Sequence, residues 1–87
     1  MTSPVRTVTL LTRAGCGACD AALRVLVPLC AEYGVACESV DVDAVAAQDP
    51  DLRAEYGDRL PVVLLDGREH SYWELDEPRL RKDLARE

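Results

Sequence analysis

Three consecutive segments constrain the fold more than anything else in the chain. Val5-Arg6-Thr7-Val8-Thr9-Leu10-Leu11-Thr12 is rich in β-branched and Leu residues and stops before Gly15. It reads as a strand, and its near-continuous apolar character makes it an inner one. Cys19, Ala22, Leu23, Leu26, Leu29, Cys30 and Tyr33 then recur at three- and four-residue steps, which is the apolar stripe of a helix. Asp20, Arg24, Pro28, Ala31 and Glu32 take the opposite face, with a kink expected on the solvent side at Pro28 and a stop at Gly34. Val35 to Asp43, with Val40 and Val42 in alternation, reads as a second strand. Strand, helix, strand at this spacing is a βαβ unit, so the two strands run parallel with a right-handed crossover.

The remainder adds a second half of different order. Asp49-Pro50 opens a short helix, with Asp49 as cap and Pro50 at the first helical position, and Gly57 ends it. Leu52 and Tyr56 share one of its faces. Pro61 to Leu65 is a third strand, and Asp66-Gly67 is a two-residue hairpin signal leading into a fourth, antiparallel strand over Arg68 to Trp73. Asp76 caps a last helix, with Leu75 and Leu80 placed for a hydrophobic staple and Leu80 and Leu84 facing the core. Tyr72 and Trp73 either pack in the core or rim the site; for Trp73, a lone large aromatic, the core is the leading expectation. The reading is an α/β fold: βαβ, short α, then ββα, a four-stranded mixed sheet with helices on both faces. At 87 residues it is one domain, 1–87, without repeats or linkers. A chain of this size removes about 60–65% of its unfolded surface from water, enough for a thin core but not for a separate cofactor lobe.

The chemistry concentrates in Gly15-Cys16-Gly17-Ala18-Cys19, where the first strand hands over to the first helix. A helix N-terminus carries free N–H groups and about half a positive charge, which favour a thiolate. Thiolate is the nucleophilic form. Cys16 falls at the first turn, facing those groups and solvent, and is expected to ionise below the free value of about 8.5. Cys19 lies one turn further in, on the inward stripe, shielded but within reach of a mixed disulfide on Cys16. Gly17 and Ala18 are small and leave the first sulfur open, and Arg13 is expected to add positive charge nearby. A CxxC at the βα junction of a cytosolic chain is a thiol–disulfide motif. Structural zinc would need four ligands, normally in two close pairs. After Cys19 the next cysteines come eleven and eighteen positions later, at Cys30 and Cys37, and the lone histidine is His70. Cys30 and Cys37 read as small buried hydrophobes, unpaired and dispensable for activity. Two further readings stay open: a redox-inert binding module, and an iron–sulfur carrier using Cys16 with an external thiol.

Net charge is −6, which argues against nucleic acid, whose affinity comes from clustered Lys and Arg. The acidity is uneven: up to Cys37 there are three Arg against two acids, and beyond it fourteen acids against seven bases. The segment Met1-Thr2-Ser3-Pro4-Val5-Arg6 lacks the basic, apolar and cleavage regions of a secretory signal, and no apolar run approaches the ~20 residues that span a bilayer. A cytoplasmic, reducing location is expected, where paired cysteines are more often catalytic than structural.

These residues resemble the glutaredoxin branch of the thioredoxin superfamily, and in particular the short bacterial glutaredoxin-like proteins. The resemblance covers nearly the whole chain in element order. It rests on Leu11-Thr12-Arg13-Ala14-Gly15-Cys16-Gly17-Ala18-Cys19, on Val40-Asp41-Val42-Asp43, and on Arg59-Leu60-Pro61-Val62-Val63 with the Asp66-Gly67 turn. It implies a thioredoxin fold, a cis Leu60–Pro61 bond facing the cysteines, and a backbone edge at Leu60 that pairs with a peptide substrate. It implies substrate-binding roles for Arg13, Gly15, Gly17, Leu60, Pro61 and Asp76. It implies thiol–disulfide oxidoreductase activity, with Cys16 the nucleophile and Cys19 the resolving thiol. No tightly bound cofactor is implied. Co-substrates would be glutathione or another low-molecular-weight thiol, and partners protein disulfides, small-thiol mixed disulfides and a reductase. A monomer is expected, without nucleic acid, membrane or metal. The chain departs from glutaredoxins in carrying Gly-Ala instead of Pro-Tyr between the cysteines and Arg-Leu instead of Thr-Val before Pro61. It also has Ser71-Tyr72-Trp73-Glu74-Leu75-Asp76-Glu77 where they carry Gly-Gly and acidic residues that hold glutathione.

Overall fold

A computed structural model describes residues 6–86. Val5, at the start of the first expected strand, and all but Arg6 of the N-terminal segment read for a signal lie outside the described residues. Seven elements follow in chain order: β1 (Thr7–Thr12), α1 (Gly17–Tyr33), β2 (Ala36–Asp41), α2 (Pro50–Tyr56), β3 (Val62–Leu65), β4 (Arg68–Tyr72) and α3 (Glu77–Leu84). The sheet order is β2-β1-β3-β4, with β1 and β2 parallel and β3 antiparallel to both β1 and β4. This is the expected α/β, thioredoxin-type arrangement. The second strand ends two residues earlier than its apolar pattern, and the fourth stops at Tyr72 rather than Trp73.

The helix ends follow from side-chain chemistry. Asp49 accepts the Leu52 N–H at 3.3 Å and Asp76 accepts the Arg79 N–H at 3.2 Å, each satisfying one orphan donor of its helix. α1 runs unbroken through the exposed Pro28 to Gly34. Asp66 and Gly67 sit at φ 53° and 85°, the paired positive values of a type I′ hairpin. The Asp66 carboxylate also accepts the Thr7 N–H at 2.9 Å, so the hairpin is fastened to the start of β1.

The period-2 alternation of β1 feeds two cores. Val8 and Leu10 point to the layer shared by α1 and α3, packing with Leu26, Leu29, Cys30, Val63, Leu80 and Leu84. Leu11 points to the other face, with Val42 and Val62 under Leu52 and Tyr56 of α2. Burying each of these Leu and Val side chains is worth about 1.5–3 kcal/mol, and Leu10, Leu26 and Leu80 are fully enclosed. The two layers hold β1 rigidly in the sheet centre. That fixes where its C-terminal end meets α1.

Candidate active site

The β1–α1 junction is a tight turn in which Cys16 donates its N–H to the Arg13 carbonyl at 3.3 Å. Gly15 sits there at φ 79°, in the left-handed region that favours glycine, and a Cβ would meet nothing within 4 Å. Its requirement is therefore conformational, not spatial. Gly17 is exposed, and a Cβ there would also enter open space. The chain leaves the surface beside the first sulfur uncovered.

Cys16 is the N-cap of α1, and its Sγ accepts the Cys19 N–H at 3.1 Å. A helix cap is usually an oxygen of Ser, Thr, Asp or Asn; here a sulfur takes the place, in line with the free N–H groups of the first turn. The two cysteines are joined by a disulfide, with Cα atoms 5.2 Å apart. Cys19 is fully buried and Cys16 half-buried, which is less open than the sequence implies but leaves Cys16 the accessible sulfur.

Leu60–Pro61 is cis. Pro61 is buried and lines an open cavity of about 300 Å³ together with Ala18, Ala21, Ala22 and Val25 of α1 and with Trp73, Glu74, Leu75 and Glu77. The structure therefore brings Pro61 beside the residues between and following the cysteines. Leu60 packs against the α2-side core. Arg13 is turned to Asp43, and its Nη1 donates to the Gly57 carbonyl at 3.2 Å. Asp43 raises the basicity of Arg13, and Arg13 holds the Asp43 carboxyl below its usual range. Asp76 caps α3 and receives the Arg79 Nε–H at 3.2 Å; it lines a separate cavity between β4 and α3 with Glu69, His70 and Arg79. Glu77, its neighbour, reaches the groove beside Pro61 instead.

Trp73 overturns the expectation of a core residue: it is 61% exposed, with Tyr72 46% exposed beside it. The cause is backbone geometry. Trp73 adopts φ 64°, which turns its ring away from the sheet as β4 ends. Its N–H donates to the Arg59 carbonyl at 3.1 Å, and its Nε1–H to the Asp58 carbonyl at 3.4 Å. Sequence reasoning left Trp73 between the core and the rim of the site, and did not single out Glu74 and Glu77 as groove residues. The available signal was an aromatic pair standing between the end of a strand and a helix cap.

Cys37 is half-buried, not buried, and Cys30 and Cys37 keep free thiols. They are not independent, as Cys37 packs against the core cluster that contains Cys30. Burial first and Cys37 second push the Cys30 thiol up to about 12. Among the described residues no three His, Cys, Asp or Glu side chains cluster closely enough to hold a metal ion, and no helix is long and apolar enough to cross a membrane.

Fold and site together define a thioredoxin-fold protein with a CxxC pair at the head of its first helix. The Glutaredoxin-like domain (DUF836) family matches residues 7–85, and the chain belongs to that family. Uncharacterized proteins of Mycobacterium tuberculosis and Mycobacterium bovis are 60% identical over 80 residues, covering 91% of this chain and 82% of theirs. Among solved structures, a structural-genomics target protein from X. campestris is 37% identical, with a TM-score of 0.62 over 88% of this chain and 93% of its own. An oxidised thioredoxin O1 from Arabidopsis thaliana shares the fold at 22% identity and a TM-score of 0.64, over 92% of this chain and 75% of its own.

Proposed function

We propose that this protein is a thiol–disulfide oxidoreductase. The observation that carries the reading is the Cys16–Cys19 disulfide at the N-terminus of α1, one sulfur capping the helix and the other buried. In the reduced form the Cys16 thiolate attacks one sulfur of a substrate disulfide. A Cys16–substrate mixed disulfide forms and the other substrate sulfur leaves as a thiolate. The Cys19 thiolate then attacks the Cys16 sulfur and releases the second substrate thiolate. The substrate gains two electrons and two protons as it becomes a dithiol, and the protein is left with its intramolecular disulfide. Two thiols from a low-molecular-weight pool, glutathione or another of that class, or a dithiol reductase, restore the reduced form. No bound organic cofactor enters the cycle. Substrates are protein disulfides or small-thiol mixed disulfides, met by a monomer in a reducing cytosol.

The test is reduction of hydroxyethyl disulfide, a neutral substrate, by stoichiometric reduced protein. Cys16→Ser should abolish it. Cys19→Ser should stop at the mixed disulfide, visible as an adduct by mass spectrometry, and in a cell extract should freeze the physiological partner. Undiminished exchange by Cys16→Ser, or none by the wild type, would leave the redox-inert binding module as the better reading.

A further inference from the structure

Trp73 is the only tryptophan in the chain, and its placement is costly on two counts. A large aromatic normally buries most of its area, yet this one is 61% exposed. A non-glycine residue at φ 64° is strained, and such outliers persist where the surrounding structure holds them, commonly at functional sites. Here the holding groups are the Arg59 and Asp58 carbonyls, which take its backbone and indole N–H. Tyr72 adds an edge-on contact with centroids 5.1 Å apart. The ring is thus exposed and fixed at once, at the rim of the groove containing Ala18 and Pro61.

The charge of that groove is one-sided. Its lining includes two carboxylates, Glu74 and Glu77, and no ammonium or guanidinium. Glu77 receives the Arg81 Nε–H at 2.9 Å, but Arg81 is shared with Glu32, so the trio keeps a net negative charge. No ion pair involving Glu74 is seen among the described residues. The rest of the lining is Ala18, Ala21, Ala22, Val25, Pro61 and Leu75, an apolar floor. A cation over an indole face is attracted by the ring, and a neighbouring carboxylate adds to it.

We propose that Trp73 and Glu74 select the substrate: an extended polypeptide segment carrying Arg or Lys beside its disulfide, with the cation on the Trp73 ring and Glu74. Anionic disulfides would meet like charge there. The inference deepens the oxidoreductase reading and rests on it, since Ala18 lies between the two active-site cysteines.

Two matched hexapeptides test it, each with one cysteine in a mixed disulfide with 2-mercaptoethanol, one flanked by Arg and the other by Glu. Reduced wild type should exchange faster with the Arg peptide, about fivefold at low salt and near parity in 1 M NaCl. Glu74→Lys should cancel or invert the preference, and Trp73→Gly, which suits the positive φ, should shrink it. Equal wild-type rates overturn the proposal, as does a preference that both variants retain. A second measurement separates this proposal from the reading beneath it. Trp73 fluorescence in the oxidised protein is titrated with the same peptides carrying Ser in place of cysteine, so no exchange is involved. A response to the Arg peptide that exceeds the Glu peptide supports the groove even where hydroxyethyl disulfide is not reduced; an indifferent Trp73 sinks it even where that disulfide is.

Discussion

Arg13 closes on Asp43 through two parallel hydrogen bonds, Nε to Oδ2 at 2.9 Å and Nη2 to Oδ1 at 3.0 Å. Bidentate geometry of this kind fixes an Arg far better than a single contact does. The pair ties the β1–α1 turn to the segment after β2, and Arg53 approaches the same carboxylate at 3.8 Å. The Arg13 charge is therefore matched at Asp43, and the helix N–H groups are left as the main stabiliser of a Cys16 thiolate.

Arg13→Ala should for that reason change the pH dependence of Cys16 alkylation only slightly, by well under one unit. It should lower stability modestly, and the difference from wild type should fade as salt is raised, because both partners are solvent-exposed. A shift of Cys16 reactivity by a unit or more would put Arg13 back at the sulfur.

Acid should destabilise the fold through three carboxyls. Asp43 is held low by Arg13, Asp66 chiefly by the Thr7 N–H and then Arg6, and Asp83 chiefly by His70. A depressed folded pKa means that the unfolded chain binds protons first. The stability from these contacts is complete above the unfolded value of about 3.9 and is lost as pH falls through the folded values. Urea midpoints measured between pH 7 and pH 2.5 should drop below pH 4, and Asp66→Asn should flatten that drop while lowering the plateau.

Much of this architecture was legible because its signals are local. The β1 and α1 periodicities, the Asp49 and Asp76 caps and the Asp66-Gly67 hairpin each depend on residues within one element or one turn. The CxxC site was legible for the same reason, since its helix N-terminus comes from the next residues in the chain. What escaped depends on distant partners. Arg13 meets a carboxylate thirty positions away, and Trp73 is pinned by carbonyls at Asp58 and Arg59. Composition favours burying such a ring, and the left-handed backbone at Trp73 together with those two carbonyls decides otherwise.

Gly15→Ala should cost about 1–2 kcal/mol in urea unfolding, the penalty for a Cβ in the left-handed region, although its surroundings are empty. Gly17→Ala, at ordinary backbone angles and also in open space, should be neutral or slightly stabilising. Equal effects at both sites would contradict the conformational account of the turn.

The buried sulfur outside the CxxC pair should show itself at high pH. Cys30 is fully enclosed, and burial together with Cys37 pushes its thiol up to about 12. A raised folded pKa gives the opposite sign to the carboxyls. The contribution is complete below the unfolded thiol value of about 8.5 and is lost as pH rises toward 12. Cys30→Ala should cost roughly 1–2 kcal/mol at pH 7 through lost packing, and should lose stability less steeply than wild type above pH 9. Parallel alkaline profiles for the two proteins would contradict a buried neutral thiol at this position.

Alkylation of the reduced, folded protein should then rank three sulfurs by their surroundings. Cys16 is half-buried at the mouth of α1 and accepts the Cys19 N–H, so iodoacetamide should capture it at pH 7, below the free-thiol range of about 8.5. Cys19 is enclosed one turn further in, where burial disfavours its charge, and should lag well behind. Cys30 should stay unmodified until the chain is unfolded by urea. Peptide mass spectrometry after timed quenching assigns each label to its cysteine. Faster labelling of Cys19 than Cys16, or a Cys16 that reacts only above pH 8, would remove the unequal roles on which the two-step exchange depends.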